Sequence, residues 1–222
     1  MAGSSDQPES ENRKARIAVL ISGSGRSMVN LHNRGQAGTL DAKIALVIAS
    51  RPGIAGLDRA AELDLPTQTV ERKAHGDIKA YSQAVFDHVR QAKAEWVCLA
   101  GFLSLLRIPS DYAGRVLNIH PSLLPAFGGP GMYGVKVHQA VLDHGAKVSG
   151  CTVHLADDTY DTGPILVQKA CPVLPGDDAD DLAARVFDLE CKAYPEALAA
   201  CVDGRVHVAG RVATVDMPDS TG

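Results

Sequence analysis

The sequence lacks the features that mark a membrane-spanning, secreted or polynucleotide-binding protein. No stretch approaches the roughly 18 consecutive apolar residues that a transmembrane helix needs. The first fifteen residues contain no apolar core of the kind found in signal peptides, and we expect them to form a disordered tail. The formal net charge of −4 provides no basic surface for a polynucleotide. We therefore expect no nucleic-acid partner and no membrane attachment.

Cysteine is scarce and follows no recognisable pattern. The chain has five cysteines, an odd number, and no two of them form a C-x-x-C pair. This favours neither a disulfide framework nor a zinc site. We expect reduced thiols, a cytoplasmic protein and no bound metal.

The remaining composition fits a single α/β domain. Apolar residues make up 45% of the 222 residues, which is enough for a hydrophobic core. We expect one domain over residues 16–208, preceded by the tail 1–15 and followed by a C-terminal extension or tail over 209–222.

Short β-branched runs alternate with helical periodicity in the first half of the chain. Buried strands are predicted at 16–21, 44–48 and 96–100, with an amphipathic helix over 79–93 between the last two. Alternation of this kind is typical of a mostly parallel, doubly wound sheet with helices on both faces.

The second half of the chain predicts a different arrangement. The runs 148–156 and 165–173 follow each other across a short loop, as antiparallel strands do, and a long helix is predicted from Asp177 to Cys201. Pro195 is expected to kink or split that helix. Together the two halves predict a Rossmann-like α/β fold, whose mostly parallel twisted sheet has an antiparallel C-terminal portion.

The run from Asn118 to Pro121, Asn-Ile-His-Pro, is the clearest chemical signal. Side chains alternate between the two faces of a strand, so Asn118 and His120 project from the same face. Pro121 favours an extended conformation at His120, which places both side chains at the end of a strand, where α/β sheets build their sites. An amide N–H and a protonated imidazole suit an oxyanion. The alternative is that both side chains only satisfy backbone groups in a turn.

A glycine-rich turn, Gly-Ser-Gly at residues 23–25, follows the first predicted strand. It fails the dinucleotide-binding pattern G-x-G-x-x-G because Met28 occupies the third glycine position. Backbone N–H groups at a helix start, together with Arg26 and Ser27, suit a phosphate group. A simple strand-to-helix turn is the alternative.

An aspartate further along the chain gains meaning from His120. If Asp161 lies near the imidazole, its charge would raise the pKa of His120 above about 6.5 and keep the ring cationic at neutral pH. A turn-capping role for Asp161 is the alternative.

A glutamate in the last predicted helix also stands out. Glu190 continues the inward-facing row of Leu182 and Val186 at helical spacing. Such placement is costly without a partner, and a structural ion pair with a nearby Lys or Arg is the first explanation.

Three segments taken together resemble the formyltetrahydrofolate-dependent formyltransferases: AGFLSLL at 100–106, LNIHPSLLP at 117–125 and D-x-G-P at 161–164. The resemblance extends from about Arg16 to Arg205 and is closest to the branch that acts on glycinamide ribonucleotide in purine synthesis. It implies transfer of the formyl group of N10-formyltetrahydrofolate to the amine of that ribonucleotide, with no metal and no covalent enzyme intermediate. The implied partners are these two small molecules, and both a monomer and a homodimer are open.

The resemblance also implies roles for individual residues. The family's catalytic positions, where the aspartate supports the histidine and organises proton transfer, are matched by Asn118, His120 and Asp161. The positions that bind the ribonucleotide, at its phosphate and its glycinamide end, are matched by Gly25, Arg26, Ser27 and Glu190. The positions around the folate are matched by Leu103, Ser104, Leu105, Leu106, Asn118, His138, His154 and Asp157.

Two folate-side positions depart from the family pattern. Ser104 and Ile78 stand where family members often have arginines. Arg72, Lys79 or Arg107 could substitute for those missing cations.

Two loops depart from the pattern as well. Thr162 replaces the first glycine of the usual D-G-G-P. The glycine-rich segment 127–134 is longer than in the commoner form, and we expect it to be a mobile lid or rim beside His138.

Other activities share parts of this pattern. Methionyl-tRNA formyltransferases share the catalytic residues but carry a further tRNA-binding domain, and formyltetrahydrofolate hydrolases, whose acceptor is water, carry an additional N-terminal domain. We expect neither, because the chain is short and acidic and its first strand begins near Arg16. A non-catalytic nucleotide- or folate-binding module would not need Asn118, His120 and Asp161 together. An amine on a sugar nucleotide is a further acceptor that the sequence leaves open.

Overall fold

The computed structural model describes residues 14–217. Of the tail predicted over 1–15, residues 1–13 lie outside the described residues. Within the described range, nine strands form one sheet: β1 (Ala15–Ile21), β2 (Ala42–Ala49), β3 (Thr67–Thr69), β4 (Trp96–Leu99), β5 (Val116–His120), β6 (Val148–Leu155), β7 (Ile165–Pro172), β8 (Val206–Ala209) and β9 (Val212–Val215). The α-helices are α1 (Arg26–Gln36), α2 (Ala55–Glu62), α3 (Ile78–Gln91), α4 (Val135–Asp143) and α5 (Ala179–Val202).

The sheet combines a parallel half with an antiparallel half. Its strand order is β3-β2-β1-β4-β5-β6-β7-β9-β8. The strands from β3 to β5 are parallel, and β6 is antiparallel to both β5 and β7. The predicted mixed α/β fold is therefore confirmed.

Both faces of the sheet are covered, which explains why β1 is a continuous apolar run. Successive residues of β1 enter opposite cores: Val19 belongs to the cluster that contains Met28 of α1 and Leu198 of α5, and Leu20 belongs to the one that contains Phe86 of α3. None of the described helices is long and apolar enough to span a membrane.

The order of the parallel strands reverses at β1 and β4. The chain leaves β1 toward β2 on one side and leaves β4 toward β5 on the other. In doubly wound sheets, ligands bind in the crevice at such a reversal, beyond the carboxyl ends of the strands. The glycine turn 23–25 follows β1, the apolar segment 100–106 follows β4, and Asn118 and His120 close β5 at the same edge.

Helix α5 runs without a break from Ala179 to Val202 although it contains Pro195. Of the expected kink or split, the split is not found, and the kink stays a prediction. A proline lacks the N–H that would bond the carbonyl four residues earlier, here the carbonyl of Cys191. The side-chain amide of Asn30 in α1 donates to that carbonyl at 3.1 Å. A hydrogen bond from a neighbouring helix thus replaces the missing one.

The C-terminal segment, expected as an extension or tail over 209–222, begins with ordered structure. Strands β8 and β9 pair as an antiparallel hairpin, and Val212 lies beside Ile165 of β7, so the hairpin extends the sheet. At its tip Arg211 donates to the carbonyl of Thr162 at 2.9 Å. Residues 218–222 lie outside the described part of the chain.

Candidate active site

One large cleft opens at the carboxyl edge of the parallel strands, where the strand order reverses. Its volume of about 770 Å³ is within the range of ligand-binding clefts. Every residue that the family resemblance matched to a site position lines this cleft: Gly25, Arg26, Ser27, Leu103, Ser104, Leu105, Leu106, Asn118, His120, His138, His154, Asp157, Asp161 and Glu190. The structure thus brings these residues together, and their individual roles stay predictions.

Asn118 is the centre of a polar network in the cleft. Its Nδ2 donates to Oδ1 of Asp161 at 3.2 Å and lies 3.0 Å from Nε2 of His154. Nδ1 of His154 donates to the Leu155 carbonyl, and in that tautomer Nε2 accepts from Asn118. Both amide hydrogens therefore point at protein groups, and a substrate oxygen that binds Asn118 must share or displace one of these contacts.

His120 closes β5 and is only 4% exposed. Its Nε2 donates to the carbonyl of Phe127 at 2.8 Å, and its Nδ1 lies 3.5 Å from Oδ2 of Asp161. The expectation that Asp161 raises the pKa of His120 above its ordinary value is wrong. Burial lowers the pKa of His120, and the opposing effects of Asp161 and the Phe127 carbonyl do not fully offset it. The imidazole is therefore largely neutral at neutral pH and can accept a proton.

Asp161 lies in the loop between β6 and β7 and has a left-handed backbone with φ of 56°. Its Oδ2 accepts the N–H of Gly129 at 2.8 Å. Burial acts to raise the pKa of this carboxyl, but contacts with His154, His120 and the Gly129 N–H outweigh burial and hold the pKa below its ordinary value. The cleft thus contains a charged carboxylate beside a neutral imidazole.

The glycine-rich segment 127–134 packs directly against Asp161. A Cβ at Gly128 would lie 3.3 Å from Cβ of Asp161 and 2.5 Å from Cδ2 of Leu124, so a side chain cannot be added there without movement. The backbone of this segment also supplies the Phe127 carbonyl and the Gly129 N–H to the catalytic candidates. The segment is therefore part of the cleft wall, and its mobility stays a prediction.

The turn after β1 presents backbone N–H groups to the cleft. Gly25 caps α1 with φ of 72°, and a Cβ there would lie 2.9 Å from Cα of Gly56, so glycine is required on both grounds. The first turn of α1 contains no acidic residue, and its N–H groups have no partners within the helix. The Arg26 guanidinium lies 3.5 Å from the centroid of the Phe187 ring, which holds a positive charge beside the turn. This arrangement can bind an anion such as phosphate.

Glu190 is half-buried and lines the same cleft as the glycine turn and Arg26. Burial raises its pKa to about 7, and the nearby Arg26 charge opposes this only in part. Among the described residues, no Lys or Arg nitrogen forms an ion pair with Glu190, so the expected structural ion pair is not found. A cationic or hydrogen-bonding ligand group is the partner that this carboxylate lacks within the protein.

The segment after β4 forms an apolar wall whose backbone is held in place by two hydroxyl groups. Ser22 Oγ accepts the N–H of Leu103 at 3.0 Å. Tyr160 Oη accepts the N–H of Leu105 at 3.1 Å and donates to the Leu103 carbonyl at 3.3 Å. Leu103 nevertheless keeps 44% of its surface exposed. The wall therefore offers an apolar surface for a ligand.

The suggested replacements for the missing folate-side arginines do not line this cleft, so the structure gives that suggestion no support. Arg107 forms an ion pair with Asp158 at 3.2 Å, and neither Arg72 nor Lys79 is among the residues of the cleft wall. The described arginines that do line the cleft, Arg26 and Arg51, flank the glycine turn instead.

His138 of α4 also borders the cleft. It is 4% exposed, and its Nδ1 has no hydrogen-bond partner among the described residues. Burial and the neighbouring His120 lower the pKa of His138. A buried, unpaired ring nitrogen at a cleft is a group that a ligand can satisfy.

Sequence reasoning missed several residues of the cleft, among them Arg51, Phe187 and Tyr160. Arg51 lies two residues after the end of β2, so its position at the carboxyl edge of a strand was the signal that could have identified it. Phe187 lies three residues before Glu190, on the same helical face. The position of Tyr160 gives no comparable signal, because its contact with the wall joins distant parts of the chain.

No metal site is evident in the part of the chain that the structure describes. Residues 14–217 contain no group of three or more His, Cys, Asp or Glu side chains placed to hold a metal ion.

Comparison with known proteins gives consistent matches. The family model described as formyl transferase matches residues 15–198. The trifunctional purine biosynthetic protein adenosine-3 of Drosophila pseudoobscura pseudoobscura is 41% identical over 218 residues, which cover 95% of this chain and 16% of that protein. The chloroplastic phosphoribosylglycinamide formyltransferase of Vigna unguiculata is 37% identical over 87% of this chain and 63% of its own length. The chain therefore spans less than two thirds of either of these relatives.

A solved structure of similar fold supports the same family. The crystal structure of glycinamide ribonucleotide transformylase 1 from Symbiobacterium toebii has a TM-score of 0.87 and 36% identity, and the match covers 96% of this chain and 99% of that chain. With a family model that matches most of its length, the chain belongs to the formyl transferase family.

Proposed function

We propose that this protein transfers the formyl group of N10-formyltetrahydrofolate to the amine of 5-phosphoribosylglycinamide, a step of purine synthesis. The products are formylglycinamide ribonucleotide and tetrahydrofolate. The observation that carries the proposal is the meeting of Asn118, His120 and Asp161 in one cleft whose two arms differ in chemistry.

The polar arm suits a phosphorylated amine. The N–H groups after Gly25 and the charges of Arg26 and Arg51 supply phosphate-binding groups at one end. The Glu190 carboxylate supplies an acceptor for an amine or hydroxyl group. A hydrolase, whose acceptor is water, has no need of this arm.

The apolar arm suits the flat ring system of a folate. Leu103 is exposed on the cleft wall and would be covered by such a ring, and the unpaired Nδ1 of His138 offers a polar contact at the cleft. These residues fit the donor, although no lysine or arginine lies on this side of the described cleft.

Asn118 is the candidate oxyanion donor. As the amine attacks the formyl carbon, negative charge develops on the formyl oxygen, and a donor that is already oriented stabilises it. The contacts of Nδ2 with Asp161 and His154 hold the amide in one orientation.

His120 and Asp161 are the candidates for proton transfer. The attacking amine must lose a proton, and a neutral imidazole can accept it, directly or through water. The imidazolium that forms is stabilised by Asp161, whose Oδ2 lies 3.5 Å from Nδ1. The same proton then passes to the departing folate nitrogen, so no net proton is consumed.

The proposal also covers partners and location. The two substrates are the only partners proposed, since a protein with a net charge of −4 offers no basic surface for nucleic acid. A cytoplasmic location is supported by the cysteines, which are all free, as is usual in a reducing compartment.

The proposal is tested by following formyl folate consumption by absorbance, with and without the ribonucleotide. We expect turnover that requires the ribonucleotide. Asn118→Ala and His120→Ala should each lose about 10²- to 10³-fold in kcat while remaining folded, which is within the usual effect of removing an oxyanion donor or a general base. The exposed Asn33→Ala and the α3 variant His88→Ala serve as matched controls with normal turnover.

Other results would contradict the proposal. Consumption without the ribonucleotide would identify a hydrolase. No consumption under either condition would leave another amine acceptor or a binding role.

A further inference from the structure

The loop between β6 and β7, residues 156–164, holds Asp161 in an unusual conformation. Asp161 has φ of 56°, in the left-handed region that non-glycine residues seldom adopt. Such a conformation persists only when surrounding contacts enforce it. The contacts of the neighbouring residue are therefore informative.

Thr162, directly after Asp161, closes this loop through its side chain. Its hydroxyl lies 2.8 Å from Oδ1 and 2.9 Å from Oδ2 of Asp157, five residues earlier. The same carboxylate accepts the N–H of Thr159 at 2.8 Å. The two ends of the turn that carries Asp161 are thus joined by one side-chain contact, which a glycine at position 162 could not make.

The backbone of Thr162 is held from outside the loop. Arg211, at the tip of the β8–β9 hairpin, donates to the Thr162 carbonyl at 2.9 Å. This hairpin lies beyond residue 198, where the match to the formyl transferase family ends. On the other side, Gly163 packs so closely on Leu155 that an added Cβ would overlap the Leu155 carbonyl oxygen. The peptide units around Asp161 are therefore restrained on both sides.

We propose that Thr162 and Arg211 are positioning residues that keep the Asp161 carboxylate in its place between Asn118 and His120. The hydroxyl of Thr162 acts through Asp157, and Arg211 links the C-terminal hairpin to the same loop. The role assigned to Asp161 rests on the proposed function, whereas the restraint on the loop does not.

The kinetic test uses Thr162→Val, which removes the hydroxyl and keeps the shape, and Thr162→Ser, which restores the hydroxyl. We expect Thr162→Val to lower kcat by roughly ten- to a hundredfold, the range expected when a catalytic group is displaced by up to about an ångström. KM for the ribonucleotide should stay unchanged, and Thr162→Ser should recover most of the rate. Thr214→Val, on the hairpin and away from the loop, is the matched control.

The hairpin is tested separately with Arg211→Ala, a surface change that does not depend on how the Thr162 variants fold. We expect kcat to fall several-fold, again with an unchanged ribonucleotide KM. Arg90→Ala, which removes an exposed arginine that pairs with Asp87 and Asp111 on another part of the surface, should have normal kcat.

Hydrogen–deuterium exchange of residues 157–163 separates the two proposals. Faster exchange in Thr162→Val and Arg211→Ala, with normal exchange elsewhere, supports the restraint. Wild-type kcat in Thr162→Val, or equal losses in the valine and serine variants, would overturn the positioning role. If the wild-type protein transfers no formyl group, the proposed function fails. Independently of that result, unchanged exchange of residues 157–163 in both variants would overturn the restraint on the loop.

Discussion

At the scale of single residues, the charge states in the cleft follow from a competition between burial and neighbouring groups. Burial dominates at His120 and keeps the imidazole largely neutral, whereas polar contacts dominate at Asp161 and keep the carboxylate charged. Under the proposed function, His120 would accept a proton and Asp161 would stabilise the imidazolium that forms.

Asp161→Asn tests this pairing. The substitution keeps the shape and removes the charge that raises the pKa of His120, so that pKa should fall further. If neutral His120 is the active form, the acid limb of the kcat profile should move to lower pH while kcat at its plateau falls. An acid limb that stays in place would mean that Asp161 only supports the loop.

Glu190 gives a prediction about stability. Its pKa of about 7 in the folded protein exceeds the ordinary value of 4.5, so the folded state binds the proton more tightly than the unfolded state. The stability that this carboxyl contributes is then complete below pH 4.5 and is lost as pH rises through about 7. The loss is roughly 3 kcal/mol.

Urea unfolding of the wild type and Glu190→Gln at both ends of this pH range measures the effect. The glutamine variant stays neutral and should gain stability relative to the wild type as pH rises. Glu196→Gln, at an exposed position of the same helix, should show no such gain. A difference between wild type and Glu190→Gln that does not change with pH would contradict the account.

At the scale of elements, the continuity of α5 depends on a contact from α1. Asn30 donates to the Cys191 carbonyl that Pro195 leaves without its helical partner. Asn30→Ala should therefore destabilise the protein by about 1 kcal/mol. In a Pro195→Ala background the backbone supplies the missing N–H, and the same Asn30 change should cost little.

A double-mutant cycle in urea measures this coupling, with Asn33→Ala on the exposed face of α1 as the control. Additive effects of the two substitutions would show that Asn30 does not replace the missing bond.

The elements also show what could be predicted from sequence. Strands β1, β2 and β4 of the parallel half were predictable because they are largely buried, which produces continuous apolar runs such as Ile17–Ile21, whereas the exposed polar strand β3 was not predicted. The site was predictable where its residues follow directly from strand ends, as Asn118 and His120 do. Strand β9 was not, since it is short, largely exposed and recruited to the sheet by a single pairing with β7.

Other features depend on contacts between distant parts of the chain. The hydrogen bond that replaces the one missing at Pro195 comes from Asn30, which is 161 positions from the carbonyl that it contacts. The lowered pKa of His120 depends on the sum of all neighbouring groups, of which the sequence suggested only Asp161. Local patterns contain neither kind of information.

At the scale of the whole molecule, the sheet places the polar arm and the apolar arm of the cleft on either side of the point where the strand order reverses. The turn after β1 gives the polar arm, the segment after β4 gives the apolar arm, and β5 delivers Asn118 and His120 between them. An acceptor and a donor bound in the two arms would meet at these side chains. This geometry supports the proposed transfer between two bound small molecules.

The most direct test of this account follows the formyl carbon itself. The protein is incubated with formyl-¹³C-labelled N10-formyltetrahydrofolate and 5-phosphoribosylglycinamide, and ¹³C NMR records where the label goes. The account predicts that the label appears as the formamide carbon of the ribonucleotide, and that His120→Ala slows its appearance by about 10²- to 10³-fold. Label found as free formate, or transfer at an undiminished rate in His120→Ala, would contradict it.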